Sequence, residues 1–332
     1  MTGEMPNPLR NARIVASRVS YESYSKQEPG VERGDPRFVM SRGQLFDFAR
    51  NPRTWKDGGK PERETDATAW GSLMDAKVCP CDGAMSDYVI APKTVTATKT
   101  MGIVKRGEAA AGDQVPWNPQ CKEAKDLKAA VEEDGKTLLS QEDLDAADAG
   151  YKRLMADERA AFIIRVSDYQ VMVVWEYADR DTGLVIPGRS LIDLFPQQGL
   201  DLLGGLAEYL ADYKTARNAE PHFFDGEIAR HGYDWQAAIE VDAVAAIPEN
   251  AGKTPRTFLH IIQENEPPYT VGRRFMPQNW MDIARGAYRA ALRRYCQCLK
   301  TGVWPSWDDE ELPGRMNLNG WSESLPAAWM IQ

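Results

Sequence analysis

The chain has 332 residues, of which 43% are hydrophobic, and its formal net charge is −9 at pH 7. This length fits one large domain or two of ordinary size, with enough apolar residues for a core. The acidic balance argues against a general nucleic-acid coat protein, because nonspecific binding to phosphates depends on lysine and arginine. No apolar run approaches the ~20 residues of a membrane span, and residues 1–18 lack an apolar signal core, which predicts a cytoplasmic protein without membrane contact.

The first third of the chain is polar before it becomes helical. Residues 1–37 are rich in proline, glycine and charge, which predicts a flexible N-terminal arm. Ser41 is placed to cap the N-terminus of a short helix. Residues 68–78 have helical spacing and carry Asp75 on an otherwise small and apolar segment.

The middle of the chain changes from helical to β-rich patterns. Ser140 begins a capping-box pattern, and the helix that it starts should reach roughly residue 159. A turn signal at residues 179–183 separates two apolar runs, as in a β-hairpin. The strands expected here are 161–166, 171–177 and 184–194.

The last third contains a strand around Asp212, followed by further alternating elements. A helix is expected over 233–244, a strand over 257–262 and a long helix over 281–299. The sequence shows no internal repeat and no clean linker. We therefore expect one domain over residues 38–307, followed by an irregular C-terminal tail over 308–332.

The segment around Asp212 and Lys214 is the strongest candidate for chemistry. Residues two apart in a strand point to the same face, so these two side chains should project together. Asp193 ends an apolar run in a neighbouring predicted strand, and Glu176 lies upstream. Carboxylates bind hard divalent cations and a lysine offsets charge, which is what metal-dependent phosphodiester hydrolysis requires. Taken alone, an acid, a spacer and a lysine also fit an ordinary exposed strand.

Short motifs in a shared order indicate a family. The chain resembles the nuclease domain of exodeoxyribonuclease VIII, the RecE-type exonucleases of phages and prophages in the PD-(D/E)XK superfamily. The resemblance spans about residues 40–307, and each motif is permissive alone, so their order is the specific signal. The matching pieces are residues 40–45, 51–52, 70–75, 135–143, 181–184, 193–196, 212–215, 233–236 and 266–269.

This resemblance implies an α/β fold, with a mixed central sheet flanked by helices and extra N-terminal helices around a PD-(D/E)XK core. It implies that Asp193 and Asp212 bind Mg²⁺, with Mn²⁺ as a substitute, and that Lys214 and Gln236 complete the catalytic set. Tyr233, one turn before Gln236, would contact DNA. The implied activity is digestion of linear double-stranded DNA ends from the 5′ terminus for homologous recombination by single-strand annealing. The implied partners are a single-strand-annealing recombinase and further copies of the chain in a ring-shaped homo-oligomer.

Three positions depart from the family pattern. Asp75 stands where the family usually has a histidine, and its oxygen ligands would suit Mg²⁺, although a solvated helix acid is the alternative. Met172 stands near the expected upstream glutamate, so Glu176 could serve as a metal ligand only with a shifted register. Glu240 replaces the expected helix tyrosine. These departures leave open a catalytically decayed nuclease fold that binds DNA or protein.

The cysteines and a row of arginines have alternative interpretations. Cys79 and Cys81 with Cys296 and Cys298 could hold an iron–sulfur cluster, as in some related nucleases. Residues two apart on a helix do not share a face, which favours buried thiols instead. Basic side chains on the last helix and shortly before it could contact phosphates, although a solvated helix face is the alternative. These arginines are Arg273, Arg274, Arg285, Arg289 and Arg293.

Overall fold

The computed structural model describes residues 7–59, 66–81, 83–96, 101–104, 107–109, 112–196, 209–251, 257–306 and 309. The helices are α1 (Tyr21–Ser25), α2 (Arg42–Arg50), α3 (Pro52–Lys56), α4 (Asp66–Val78), α5 (Lys122–Glu133), α6 (Gln141–Met155), α7 (Glu158–Arg165), α8 (Pro221–His231), α9 (Tyr233–Ala245) and α10 (Gln278–Thr301). The strands are β1 (Leu9–Ala16), β2 (Tyr88–Ile90), β3 (Thr94–Thr96), β4 (Met101–Val104), β5 (Gly107–Ala109), β6 (Gln114–Pro116), β7 (Thr137–Leu139), β8 (Ser167–Ala178), β9 (Val185–Pro196), β10 (Tyr209–Ala216), β11 (Thr257–Glu264) and β12 (Val271–Phe275). Within these ranges, no helix is long and apolar enough to cross a membrane.

A mixed six-stranded sheet forms the centre of the fold, as the sequence predicted. Its strand order is β1-β8-β9-β10-β11-β12. β10 and β11 are parallel, whereas the other neighbouring pairs are antiparallel. The predicted hairpin is β8 and β9, joined at the turn that precedes Leu184. The remaining short strands pair as β2 with β7, β3 with β6 and β4 with β5.

Both faces of the sheet are covered, so β10 is buried on each side. Leu210 packs into a core shared with α2, α9 and α10, whereas Ala211 and Tyr213 pack into a second core with α4, α6 and α7. Because side chains alternate along a strand, Asp212 and Lys214 share the face of Leu210 and lie toward α9. The apolar residues around them therefore fix the direction in which the two charged side chains point.

The expectation of a flexible N-terminal arm is corrected over the described residues 7–37. β1 pairs with β8 at the edge of the sheet, and Leu9 and Ala12 are buried. The sequence of an edge strand with few core-facing residues is mostly polar, because most of its side chains face solvent. The predicted tail, 308–332, lies outside the described residues except for Asp309, which forms an ion pair with Arg53 at 2.8 Å.

The predicted strand at 161–166 is wrong, because this segment belongs to α7. Asp157 caps the helix by accepting from the Ala160 amide, so the preceding helix ends at Met155 instead of continuing to residue 159. Short apolar runs do not distinguish a buried helix face from a strand. The helix starts predicted at Ser41 and Ser140 are both confirmed by side-chain caps.

Close packing inside the hairpin generates a stability prediction. A Cβ atom added at Gly188 would overlap the indole ring of buried Trp175, its cross-strand partner. We expect Gly188→Ala to lower the free energy of unfolding by about 1–3 kcal/mol, as overpacked core substitutions do. The measurement is urea denaturation followed by circular dichroism.

The matched control is Gly226→Ala in α8, where a Cβ would meet nothing within 4 Å. This change should be neutral or stabilise the protein by up to about 1 kcal/mol, because alanine favours helix more than glycine does. Equal unfolding midpoints for Gly188→Ala and the wild type would contradict the close packing.

Candidate active site

Asp212 is the centre of a buried polar cluster. It is fully buried on β10, and side chains from β10, α9 and β11 donate hydrogen bonds to its carboxylate. Lys214 Nζ and Gln236 Nε2 donate to Oδ1 at 2.6 and 2.7 Å, and His260 Nδ1 lies 3.1 Å from Oδ2. Burial by itself raises the pKa of Asp212, but Lys214 and His260 lower it more, so its pKa lies well below the usual range. The carboxylate is therefore charged.

Asp193 lies directly across from Asp212 on the neighbouring strand. β9 and β10 are antiparallel with Leu194 paired to Ala211, and the next position in this register places the two acids opposite each other. Burial and the charge of Asp212 raise the pKa of Asp193 well above its usual value, although Lys214 opposes this. Two carboxylates at one site disfavour each other's charged form, and a bound cation would relieve this repulsion.

Lys214 supplies positive charge between the two acids. Its Nζ lies 2.6 Å from Asp212 Oδ1 and 3.8 Å from Asp193 Oδ2, and 5.2 Å from the centroid of the Tyr233 ring. Burial lowers the pKa of Lys214, but the charges of Asp212 and Asp193 raise it above the usual range. Lysine therefore remains charged, and the sequence-predicted set Asp193, Asp212 and Lys214 is brought together.

The two carboxylates suit a hard divalent cation for which the protein supplies only part of the coordination shell. Within the described residues, no group of three or more His, Cys, Asp or Glu side chains is placed to hold a metal ion. Mg²⁺ commonly takes one or two carboxylates from the protein and completes its shell with waters and substrate phosphates. Asp193 and Asp212 provide such a pair.

Asp75 lies at the mouth of this cluster, because α4 packs closely on β10. A Cβ at Gly71 would come within 2.9 Å of Thr215 Oγ1, so glycine permits the close approach, and Asp75 follows one turn later. The protein around its carboxyl raises the pKa of Asp75, Lys214 lowers it and Asp212 raises it again, although the residue as a whole is exposed to solvent. The structure thus brings Asp75 near Asp212 and Lys214.

The N-terminal half of α9 forms the other wall of the site. Gln236 donates to Asp212 and accepts from Arg42 at 3.3 Å, and Arg42 also donates to the carbonyl of His231. One turn after Gln236, burial and the charge of Asp212 raise the pKa of Glu240 well above its usual value. Arg42 was not predicted as a site residue; the cap at Ser41, which places Arg42 first in α2, was the available signal.

Comparisons with known proteins agree with this geometry. Residues 193–310, which include both acids and the lysine, match a family model described as a PDDEXK-like domain of unknown function (DUF3799). A crystal structure of a "putative exonuclease" from Eubacterium rectale superposes with a TM-score of 0.50 at 14% identity, covering 92% of this chain and 99% of that one. The chain has a PD-(D/E)XK fold. No curated protein matches the sequence.

Glu176 is not part of the Asp212 cluster, which corrects its prediction as a metal ligand. The β8 residue opposite Asp193 is Gln170, which donates to Asp193 Oδ1 at 3.2 Å. Glu176 lies roughly 20 Å farther along the strand at the usual rise per residue. There it accepts from Asn11 at 2.7 Å and lies 3.8 Å from Arg10.

The arginines of α10 do not form one free basic row beside the Asp212 cluster. Arg285 donates to Asp242 at 2.9 Å and to Asp282 at 2.8 Å, so it joins α10 to α9. Arg289 is partly buried, whereas Arg293 is exposed. Since a paired guanidinium is a poor free phosphate ligand, the prediction for Arg285 is corrected to a structural role.

Arg273 and Arg274 lie on the edge strand β12 and border a cleft of about 570 Å³. Arg273 forms an ion pair with Asp157, and Arg274 donates to the Arg273 carbonyl at 2.8 Å. Arg274 pairs with His260 across β11 and β12, two strands from Asp212. Contact of these two arginines with DNA stays a prediction.

The cysteines do not assemble a cluster-binding site. Cys79 packs in the core beside α4, whereas Cys296 and Cys298 pack in the core on the opposite face of the sheet. Burial raises the pKa of the Cys296 thiol to about 12 and that of Cys298 to about 11. For the described part of the chain, this placement favours buried thiols over iron–sulfur ligands.

His260 is a second site residue that sequence reasoning missed. It lies at the middle of the predicted strand over 257–262, flanked by apolar residues, which was the one signal present. Neither spacing nor a motif joins it to Asp212, because β10 and β11 pair only in the folded sheet.

The contact between Gln236 and Asp212 generates a second stability prediction. Gln236→Leu should lower the free energy of unfolding by about 1–3 kcal/mol, because a buried carboxylate loses a donor. The control is Gln297→Leu, the same chemical change at an exposed position of α10, which should alter stability by no more than about 0.5 kcal/mol. Equal effects in urea denaturation would show that the Asp212 contact does not contribute.

Proposed function

We propose that the protein is a metal-dependent exonuclease of the RecE type that degrades linear double-stranded DNA. The apposition of Asp193 and Asp212 around Lys214 is the observation that carries this proposal. A fully buried carboxylate and a partly exposed one opposite each other on neighbouring strands have no structural advantage over an apolar pair, because desolvation and repulsion both cost free energy. Such an arrangement is expected where a cation and a phosphate are to be bound.

Each residue of the cluster has a distinct part in this chemistry. Asp193 and Asp212 would hold Mg²⁺, or Mn²⁺ as a substitute, with Asp75 acting on the ion from the mouth of the site. When bound, the ion polarises the phosphate and lowers the pKa of the attacking water. Lys214 would turn from the carboxylates toward the phosphate and stabilise its developing charge.

The finer features of the proposal come from the ordered motifs that resemble RecE-type exonucleases. They are attack from the 5′ end, a ring-shaped homo-oligomer, a single-strand-annealing recombinase as partner, a role in phage-type recombination and a cytoplasmic location. A duplex labelled separately at its 5′ and 3′ termini tests the polarity, because 5′ attack releases the 5′ label first and leaves a 3′ single strand.

The central prediction concerns nucleotide release from linear duplex with Mg²⁺. Asp212→Asn and Lys214→Ala should each reduce the rate by at least about 100-fold, because one weakens the cation site and the other removes charge that stabilises the transition state. Removal of Mg²⁺ with a chelator should abolish release, and Mn²⁺ should restore it. Glu176→Gln is the matched acid control and should retain wild-type activity, since Glu176 lies far from the cluster.

Equal nucleotide release by the wild type and both site variants would refute the assignment. A second candidate, a decayed nuclease fold that binds DNA, is favoured by Asp75 and Glu240 at positions where the resembling family has histidine and tyrosine. Calorimetry separates the two functions: DNA binding without any Mn²⁺ binding would support the decayed module.

A further inference from the structure

We propose that His260 is a positioning residue that fixes the orientation of the Asp212 carboxylate for cation binding. The inference rests on the proposed function and assigns a role to a side chain outside the acid-and-lysine motif. Its basis is a hydrogen bond between the two neighbouring parallel strands at the centre of the sheet.

The sheet register places His260 directly beside Asp212. The two residues are paired in the parallel ladder of β10 and β11, so their side chains lie on the same face. His260 Nδ1 lies 3.1 Å from Asp212 Oδ2, and both side chains are completely buried. Because the carboxylate can only accept, Nδ1 carries the proton and donates.

The three donors to Asp212 divide between its two oxygens. Lys214 and Gln236 share Oδ1, whereas the hydrogen bond to Oδ2 comes from His260. If Lys214 leaves Oδ1 to contact a phosphate, Gln236 and His260 still hold one oxygen each. The plane of the carboxylate then stays fixed while a metal cation takes the place of the Lys214 ammonium. Supporting hydrogen bonds orient metal ligands in this way.

The surroundings of the His260 ring are otherwise aromatic, so its contact with Asp212 is the interaction that uses its polar atoms. Its ring packs against Phe224, Tyr233 and Phe258, with centroid separations of 5.8, 6.0 and 5.0 Å. Within the described part of the protein, Nε2 has no hydrogen-bond partner. A phenyl ring would fill this aromatic site without the cost of burying a polar group, so the imidazole is retained for its contact with Asp212.

Two substitutions separate positioning from packing. His260→Phe keeps an aromatic ring but removes the donor, whereas His260→Asn keeps a donor at the Nδ1 position but leaves space among the rings. We expect His260→Phe to weaken Mn²⁺ binding about 10- to 100-fold in titration calorimetry, the usual effect of removing a group that orients a metal ligand. His260→Asn should recover most of that affinity.

Stability should rank the two variants in the opposite order. His260→Asn should unfold at the lower urea concentration, because it leaves a cavity, while His260→Phe should bind Mn²⁺ more weakly. A purely structural role would make metal affinity follow stability instead, with the phenylalanine variant closer to the wild type in both. That result would overturn the inference.

The wild type, measured in parallel, distinguishes this inference from the proposed function. Wild-type Mn²⁺ binding with unchanged affinity in His260→Phe refutes only the role of His260. No Mn²⁺ binding and no nuclease activity in the wild type refutes both. The metal-free protein gives a separate readout: among the ring ¹⁵N signals of its three histidines, those of the ring that donates from Nδ1 should be absent from His260→Phe.

Discussion

The opposition of Asp193 and Asp212 across two strands is the constraint on which the rest of the site depends. Asp212 is fully buried, Asp193 is partly exposed, and the antiparallel register sets them face to face, so repulsion between two charged carboxylates must be offset. Lys214 offsets part of it from the same strand as Asp212, and Gln236 and His260 add further hydrogen-bond donors. The site therefore gathers two carboxyl groups in a position where a cation and a phosphate could replace the contacts of the lysine.

The two covered faces of the sheet give this cluster its rigidity. α9 packs against one face and contributes Gln236, while α4 lies close to β10 through Gly71 and brings Asp75 to the mouth. The apolar residues of β10 alternate between two cores. A shift of one residue in the register of this strand would therefore place Tyr213 where Asp212 lies. The alternation of apolar residues along β10 thus stabilises the fold and also determines the face on which Asp212 and Lys214 lie.

The errors in sequence interpretation have physical causes. Glu176 was predicted as a metal ligand because alternate residues of a strand share a face. Sharing a face does not fix the distance along the strand, and the β8 residue beside Asp193 is Gln170. Arg285 belonged to a regular helical row, yet its acids come from α9 and from its own helix. Residues 161–166 were an apolar run short enough to fit either a strand or a helix face.

The sequence by itself determined the elements with local signals: the capped helices at Ser41 and Ser140, the β8–β9 hairpin, and the pairing of Asp212 with Lys214 on one strand face. Those features depend on neighbours within a few residues. Only the tertiary structure decided that His260 and Arg42 join the site, that β1 completes the sheet, and that Asp193 faces Asp212 in register. These contacts join segments distant in the chain, and their geometry depends on strand order and packing that no local pattern encodes.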